Sequence, residues 1–225
     1  MLPAKIPLPK NFRLTTALSL LILKFNFNLY QNLIGVPMML DATSPFILRP
    51  ENEWASPSIT VLDNGRPITF TISNVLDYHG YDAVGGCVLG FRLLQRALAL
   101  LSPDELPERR QLELFTNFPG LGARDAFELV TRVVTGNRFT LDKDFIDPRT
   151  PDGVTGGVYF RFTLGDRSVE LAPIEGQPSP RFIAAGRASK TPDADEAVFH
   201  EWKTVKYELA NLLLGADAAS VIRVL

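Results

Sequence analysis

The chain has 225 residues, of which 46% are hydrophobic and 21% are charged, as in an ordinary globular domain. Its formal net charge of -2 argues against a nucleic-acid partner, because no strongly basic field covers the chain. A single cysteine excludes an internal disulfide framework, and two histidines are too few for a metal site made of histidine alone.

The first forty residues differ in pattern from the rest of the chain. Lys5, Lys10 and Arg13 precede a short, mostly apolar run at 17–23, and polar residues follow from Lys24 onward. Basic residues before a short apolar run resemble the front of a secretory signal peptide. A membrane-spanning helix needs about 20 mostly apolar residues, so we expect no spanning segment here.

Three interpretations of this N-terminal part stay open. It is a weak signal or anchor, an amphipathic helix that packs on the domain or on a partner, or upstream sequence before a natural start at Met38 or Met39. We expect an apolar extension over residues 1–40, a single domain over residues 41–225, and a cytoplasmic protein.

An Asn-Gly pair predicts a β-hairpin at the start of this domain. Asn64-Gly65 lies between β-rich runs at 58–63 and 66–72. The pair favours a type I′ turn, which needs positive φ at both central positions.

The patterns downstream predict the remaining elements in order. They are a short helix capped by Ser73 at 73–78, a long apolar helix at 84–101, a strand at 111–117, a helix at 123–134, strands at 139–141, 158–164 and 167–174, and a C-terminal helix at 192–214.

The order of these elements predicts the α+β class. Between residues 73 and 172 it runs helix, helix, strand, helix and then three extended segments, with a hairpin before it and a helix after it. This order is neither the alternation of a doubly wound fold nor a helix bundle. From Glu175 to Pro192 we expect a long loop, interrupted at most by a short extended piece at 181–184.

The densest group of reactive residues lies between Tyr78 and Cys87, where the long helix begins. Free backbone N–H groups at a helix N-terminus favour an anion or a thiolate. Gly85 and Gly86 would let a ligand approach the backbone closely. We therefore predict a ligand-binding loop, with these residues as candidates: His79, Tyr81, Asp82, Gly85, Gly86 and Asp125. A structural interpretation stays open, in which the loop is a glycine-rich turn beside a buried cysteine.

His79 and Cys87 are also candidate metal ligands. No CxxC or HExxH motif is present, so a third ligand would have to come from Asp82, Glu113, Asp125 or solvent. A closed structural metal site normally has four protein ligands. We therefore expect at most weak binding of zinc or another divalent metal.

The loop at 118–125 is the second candidate for a binding site. It links a strand to a helix and contains Gly120 and Gly122, but it has neither Gly-Lys-Ser/Thr nor a full GxGxxG, so it is not a phosphate-binding loop. It can border a pocket beside the first loop, or it can be a plain turn in which Asp125 interacts with the helix dipole.

Three other charged or titratable residues have simpler structural explanations. His200 fits a solvated face of the last helix. Arg92 and Arg96 lie one turn apart and could clamp an anion, but arginines that reach solvent from a polar edge of the long helix explain them without a ligand.

Residues 73–145 contain motifs that resemble the FmdE-like family, which is named after one component of formylmethanofuran dehydrogenase. One resembles the family's His-Gly-His-x-Cys-Pro-Gly segment and the Leu-Gly-Tyr-Arg helix after it, and the other resembles its Asp-Ala-Ile…Leu-Thr-Gly block. The matching residues are His79-Gly80, Gly85-Gly86, Cys87–Arg92, Asp125-Ala126 and Val134–Gly136. In this chain Tyr81 replaces the second histidine, and Val84-Gly85-Gly86 replaces Cys-Pro-Gly.

The resemblance implies an α-β-α-β-β-β core with a mixed sheet, and a metal, often zinc, held by the motif histidine and cysteine. We predict an FmdE-like protein with a small-ligand or metal-binding pocket at the His79 loop, without the methanogenic role. One alternative is a metal-dependent enzyme with His79 and Cys87 as ligands and Asp82 or Asp125 as base. Another is a non-catalytic accessory subunit that docks on a larger oxidoreductase. A homodimer is also compatible with the sequence.

Overall fold

The computed structural model describes residues 57–225. The extension predicted at 1–40, its alternative interpretations and the predicted domain start at 41 all lie outside the described residues. The described part is a mixed α+β structure with six α-helices, a two-stranded hairpin and a five-stranded sheet. The predicted fold class is therefore confirmed.

The hairpin pairs β1 (Ser58–Asp63) with β2 (Arg66–Thr71) in antiparallel register. Its turn has φ values of 52° at Asn64 and 76° at Gly65, which confirms the predicted turn with positive φ at both positions. The Glu108 carboxylate accepts hydrogen bonds from the backbone N–H groups of both turn residues, at 3.1 and 2.6 Å.

Helix α1 (Ile72–His79) begins one residue earlier than predicted, because Thr71 caps it instead of Ser73. The Thr71 N–H donates to Asn74 Oδ1 at 2.9 Å, and the Asn74 N–H donates to Thr71 Oγ1 at 3.4 Å. This reciprocal pair is a capping box. Gly80, with φ of 92°, ends the helix, and a 3₁₀ turn over Tyr81–Ala83 leads into the next helix.

Helix α2 (Val84–Leu101) has the predicted bounds and is the central helix of the fold. It packs against α3 (Leu121–Thr131) and α5 (Glu196–Leu214). Among the described residues, the helical stretch Tyr81–Leu101 is long and apolar enough to cross a membrane by length and composition alone. Yet the most apolar 18 residues of this stretch are 67% buried within the protein, as in the core helix of a folded domain.

The five-stranded sheet is mixed. Its strands are β3 (Leu112–Thr116), β4 (Phe139–Leu141), β5 (Phe160–Leu164), β6 (Arg167–Pro173) and β7 (Ile222–Val224). Their spatial order is β4-β3-β5-β6-β7, with β3 and β4 parallel and the other pairs antiparallel. From α2 to β6 the chain order is helix, strand, helix and three strands, as predicted.

One face of the sheet forms the core with the helices. Phe160 and Phe162 of β5 are fully buried, and Phe127 of α3 makes edge-on ring contacts with both at 5.9 and 5.7 Å. Aromatic pairs of this kind add about 0.5–1.5 kcal/mol beyond the area they bury. They hold α3 against the sheet and so fix the position of its first turn.

Two predictions about the C-terminal third are wrong. The expected loop at 175–192 contains α4 (Pro180–Ala188), because Ser179 caps it and Pro180 suits the first helical turn. Phe182 packs edge-on against Trp202 of α5 at 4.8 Å. Helix α5 begins at Glu196 instead of 192, since the Asp195 carboxylate caps it. The chain ends with α6 (Ala218–Val221) and β7, which the sequence patterns did not indicate.

Arg92 is also placed differently from the prediction. It is 1% exposed, so it does not form part of a solvated edge. Its guanidinium donates hydrogen bonds to the backbone oxygens of Leu213 and Leu214, at 2.8 and 3.3 Å, and to Gln95 Oε1 at 2.8 Å. The arginine therefore binds the C-terminal end of α5 to the central helix.

Candidate functional site

A cavity of about 180 Å³ lies where the starts of α2 and α3 meet α4 and α5. Helix α5 contributes one wall through Trp202, Lys206, Leu209 and Leu213. The remaining lining comes from the N-terminal turns of α2 and α3, from Phe182 of α4, from Pro173 at the end of β6, and from connecting segments. These residues are Ala83, Gly86, Leu89, Phe118, Gly120, Leu121, Gly122, Gly153, Val154, Thr155, Val158, Pro173, Gln177, Pro178, Phe182 and Lys190.

Glycines allow the two helix starts to meet at this cavity. A Cβ atom at Gly122 would lie 2.8 Å from the backbone oxygen of Ala83 and 2.9 Å from the backbone nitrogen of Cys87. One at Gly90 would lie 2.7 Å from Ala123 Cα. Real Cβ atoms do not tolerate such distances, so the helix crossing requires glycine at both positions. The site therefore forms where the backbones of α2 and α3 approach each other closely.

Neither helix start carries a side-chain cap. The N-cap residues are Ala83 for α2 and Gly120 for α3, and no side chain of either accepts a hydrogen bond from the first turn. Gly86, Leu121 and Gly122, in these first turns, line the cavity. At the start of α3, the backbone N–H groups of the first turn have no side-chain acceptor from the N-cap, and the helix dipole places partial positive charge at this end of the cavity.

The cavity is mainly apolar, and its charged lining residues in the described part of the chain are both lysines, Lys190 and Lys206. Lys206 is partly buried, whereas Lys190 is exposed. The Lys206 ammonium donates a hydrogen bond to the backbone oxygen of Asp82 and lies 5.3 Å from the centroid of the Trp202 ring. Burial lowers the pKa of Lys206, and the charge of the Asp82 carboxylate partly opposes this effect.

Of the predicted site residues, His79 and Asp125 are brought together. His79 Nδ1 lies 2.7 Å from Asp125 Oδ2, and the two side chains are 12% and 23% exposed. Arg124 Nη1 lies 3.7 Å from the other oxygen of the same carboxylate. The pair joins the end of α1 to α3, and neither residue lines the cavity. A carboxylate on Nδ1 fixes the orientation of the imidazole ring.

The other predicted ligand-binding residues are separated. Tyr81 is 56% exposed, and Asp82 is exposed and contributes its backbone oxygen to Lys206. Gly85 faces α5, where a Cβ atom would lie 3.0 Å from the backbone oxygen of Lys206. Gly86 alone of the six predicted ligand-binding residues lines the cavity.

Cys87, the second predicted metal ligand, is fully buried. Burial, with a smaller effect from the negative charge of Asp125, raises the pKa of the Cys87 thiol to about 12. Since a cysteine binds metal as the thiolate, this environment disfavours coordination by Cys87. In residues 57–225 there is no group of three or more His, Cys, Asp or Glu side chains that could hold a metal ion. The expected weak zinc binding stays a prediction.

The wall of the cavity that α5 supplies was not among the predicted site residues. Trp202 and Lys206 lie one turn apart, and Leu209 and Leu213 continue the same face. The sequence pattern indicates an apolar face with Trp202, Leu209 and Leu213, but it does not indicate that Lys206 belongs to a binding site. The glycine-rich run at 153–157, which lies between the predicted strands at 139–141 and 158–164, was a second signal, because Gly153, Val154 and Thr155 line the cavity.

No known family model, curated protein or solved structure matches this chain. Its function must therefore be inferred from its own residues.

Proposed function

We propose that this protein binds a small, largely apolar organic molecule in the cavity between α2, α3, α4 and α5. The observation that carries the proposal is a cavity of about 180 Å³ with aromatic and aliphatic walls and few polar groups. Small-molecule sites have this character, with a few polar groups that orient the ligand. An apolar cavity of roughly 150 Å³ is large enough to bind benzene, so a ligand with about six to eight carbon atoms fits here.

We also propose that the chain is an FmdE-like protein, with its ligand beside the His79 loop instead of within it. The helix and strand order from α2 to β6 supports this, together with the motif residues around His79 and Asp125. The methanogenic chemistry is not part of the proposal, because fold and function are separable. The cytoplasmic location, the homodimer and docking on a larger oxidoreductase stay predictions.

The proposal is tested with small aromatic probes, toluene and benzyl alcohol, whose binding is followed by ligand-observed NMR and by thermal stabilisation. We expect wild-type protein to bind at least one of them. Gly86→Val should abolish this binding, since Gly86 lines the cavity and the valine side chain would take up space there. The fold should tolerate the change, because a Cβ atom at this position lies an ordinary 3.6 Å from Gly122 Cα and Ala123 N. The matched control is Ala99→Val, which adds bulk at an exposed position of the same helix.

Failure of both probes to bind up to their solubility limits would contradict the proposal, as would equal binding by wild type and Gly86→Val. Metal analysis of the purified protein separates the main rival. Zinc that stays bound at one equivalent after dialysis against a chelator would favour the metal-dependent enzyme with His79 and Cys87 as ligands.

A further inference from the structure

We infer that the ligand is an aromatic monocarboxylate whose carboxylate pairs with the Lys206 ammonium inside the cavity. This inference rests on the proposed function, because it names the chemical class of the molecule that the cavity binds.

The charge of the lining supports an anionic ligand. Two lysines line the cavity, and no Asp or Glu of the described residues does so. The carboxylate of Asp82 and the ammonium of Lys203 are the charges that act on Lys206, in opposite directions, and neither residue lines the cavity. A ligand carboxylate would therefore enter a space with a positive charge on its wall and with no acidic side chain among the described lining residues.

The hydrogen bonds of Lys206 leave capacity for a ligand. An ammonium has three donors, and the one protein acceptor that Lys206 has among the described residues is the backbone oxygen of Asp82. The Trp202 ring lies 5.3 Å from Nζ and holds the side chain against the wall of α5. Two N–H groups of a side chain that is already positioned can therefore donate to the oxygens of a carboxylate.

Partial burial distinguishes Lys206 from Lys190. Lys206 is partly buried, and desolvation by its surroundings destabilises its charge and lowers its pKa. A ligand anion at this point would restore the interactions that the ammonium loses on leaving water. Lys190 is exposed, where an ion pair contributes little because water screens it.

The walls favour an aromatic body for the ligand. Phe118, Phe182 and Trp202 line the same cavity, and its volume of about 180 Å³ fits one ring with a short substituent. Flat rings pack edge-on or offset against such side chains. Benzoate and phenylacetate are therefore the probes of choice, and octanoate tests whether an aliphatic carboxylate of similar size binds as well.

The experiment compares benzoate with benzyl alcohol, which has a similar shape and no charge, by titration calorimetry on the full chain. We expect wild-type protein to bind benzoate at least about tenfold more tightly than benzyl alcohol. Lys206→Met should lose that advantage while its affinity for benzyl alcohol stays within about threefold, since methionine keeps most of the apolar stem. Lys206→Arg should retain a preference for benzoate. The control Lys143→Met, at an exposed position outside the cavity lining, should bind both probes as wild type does.

Equal affinity of wild type for the two probes would overturn the inference, as would a parallel loss of both in Lys206→Met. If benzyl alcohol binds and benzoate does not, the inference fails while the proposed function stands. If neither binds, the proposed function itself fails. Should Lys206→Met not fold, the wild-type comparison alone decides. Octanoate that binds more tightly than benzoate and phenylacetate would contradict the aromatic assignment.

Discussion

His79 Nδ1 lies 2.7 Å from Asp125 Oδ2, and this bond joins the last residue of α1 to α3. Both side chains are mostly buried, at 12% and 23% exposure. Both residues are predicted ligand-site residues, and their bond links α1 to α3 in the folded domain. The cavity is lined by Gly86, from the same loop region as His79, and by Leu121 and Gly122 of α3, but not by His79 or Asp125.

Replacement of His79 by alanine should therefore lower stability and leave cavity binding intact. We expect a loss of about 1–3 kcal/mol, because the Asp125 carboxylate would lose its closest hydrogen-bond partner. A double-mutant cycle with Asp125→Ala, followed by urea unfolding, should give a coupling energy of about 0.5–3 kcal/mol.

His200→Ala is the control for this prediction, since His200 is exposed on α5, and its effect should be within about 0.5 kcal/mol. Unchanged stability of His79→Ala together with lost binding of benzyl alcohol would return His79 to the ligand site. The benzyl alcohol titration is therefore run on both alanine variants.

Arg92 should contribute more to stability than any exposed arginine. It is 1% exposed and donates to the backbone oxygens of Leu213 and Leu214, which belong to the last turn of α5, where carbonyl groups lack helical partners. Arg92→Met should lower the free energy of unfolding by about 2–4 kcal/mol, because it leaves buried carbonyls without a donor.

The matched control for this arginine is Arg187→Met, an exposed position near the end of α4, with an expected change within about 0.5 kcal/mol. Urea unfolding measures both variants. An effect of Arg92→Met no larger than that of the control would show that the buried guanidinium costs as much as its hydrogen bonds contribute.

The sequence predicted the elements whose signals are local. Asn64-Gly65 indicated the hairpin turn, and the apolar stripe between residues 84 and 101 indicated the central helix, because turn chemistry and helical periodicity act over a few residues. Helix α4 was missed although Ser179-Pro180 is a valid N-terminal signal, since the helix has only nine residues, Pro180 included, and a weak apolar pattern.

The site was less predictable because distant parts of the chain form it. Gly86 and Lys206 are 120 positions apart in sequence and line one cavity. The helix crossing at Gly90 and Gly122 that brings the walls together is a tertiary contact, which no periodicity within a segment can reveal. The sequence motifs therefore indicated the loop that contains Gly86 and gave no signal for the wall supplied by α5.

Cys87 should be unreactive in the folded protein. Its side chain is fully buried, and burial raises the pKa of the thiol to about 12, so almost no thiolate is present near neutral pH. At pH 8 we expect no reaction of native protein with Ellman's reagent over minutes. The same chain in concentrated urea should react with one equivalent, since the sequence contains a single cysteine. Rapid reaction of native protein would contradict the buried position of this thiol.

Glu128 should make the fold sensitive to acid. It is 5% exposed, and its carboxylate accepts hydrogen bonds from the N–H groups of Val134 and Thr135, at 2.8 and 3.1 Å, and from Thr135 Oγ1 at 2.7 Å. Burial by itself would raise the pKa of Glu128, but the hydrogen bonds from Thr135 and Val134 outweigh it, and the pKa of this group is lowered in the folded protein.

Because the pKa of Glu128 is lowered in the folded state, its charge stabilises the protein at pH values above the unfolded pKa, which is about 4.3 for glutamate. This stabilisation is lost as the pH falls through the folded pKa.

At pH 7, Glu128→Gln should lower the free energy of unfolding by about 1–3 kcal/mol, because glutamine carries no charge and accepts fewer of these bonds. This difference from wild type should shrink as the pH falls below about 4.3, where Glu128 takes up its proton in the unfolded protein but stays ionised in the folded one because its pKa there is lowered. Urea unfolding at each pH measures it, with Glu105→Gln as the control at an exposed position. A difference that stays constant down to pH 3 would mean that Glu128 acts through shape and packing instead of through its charge.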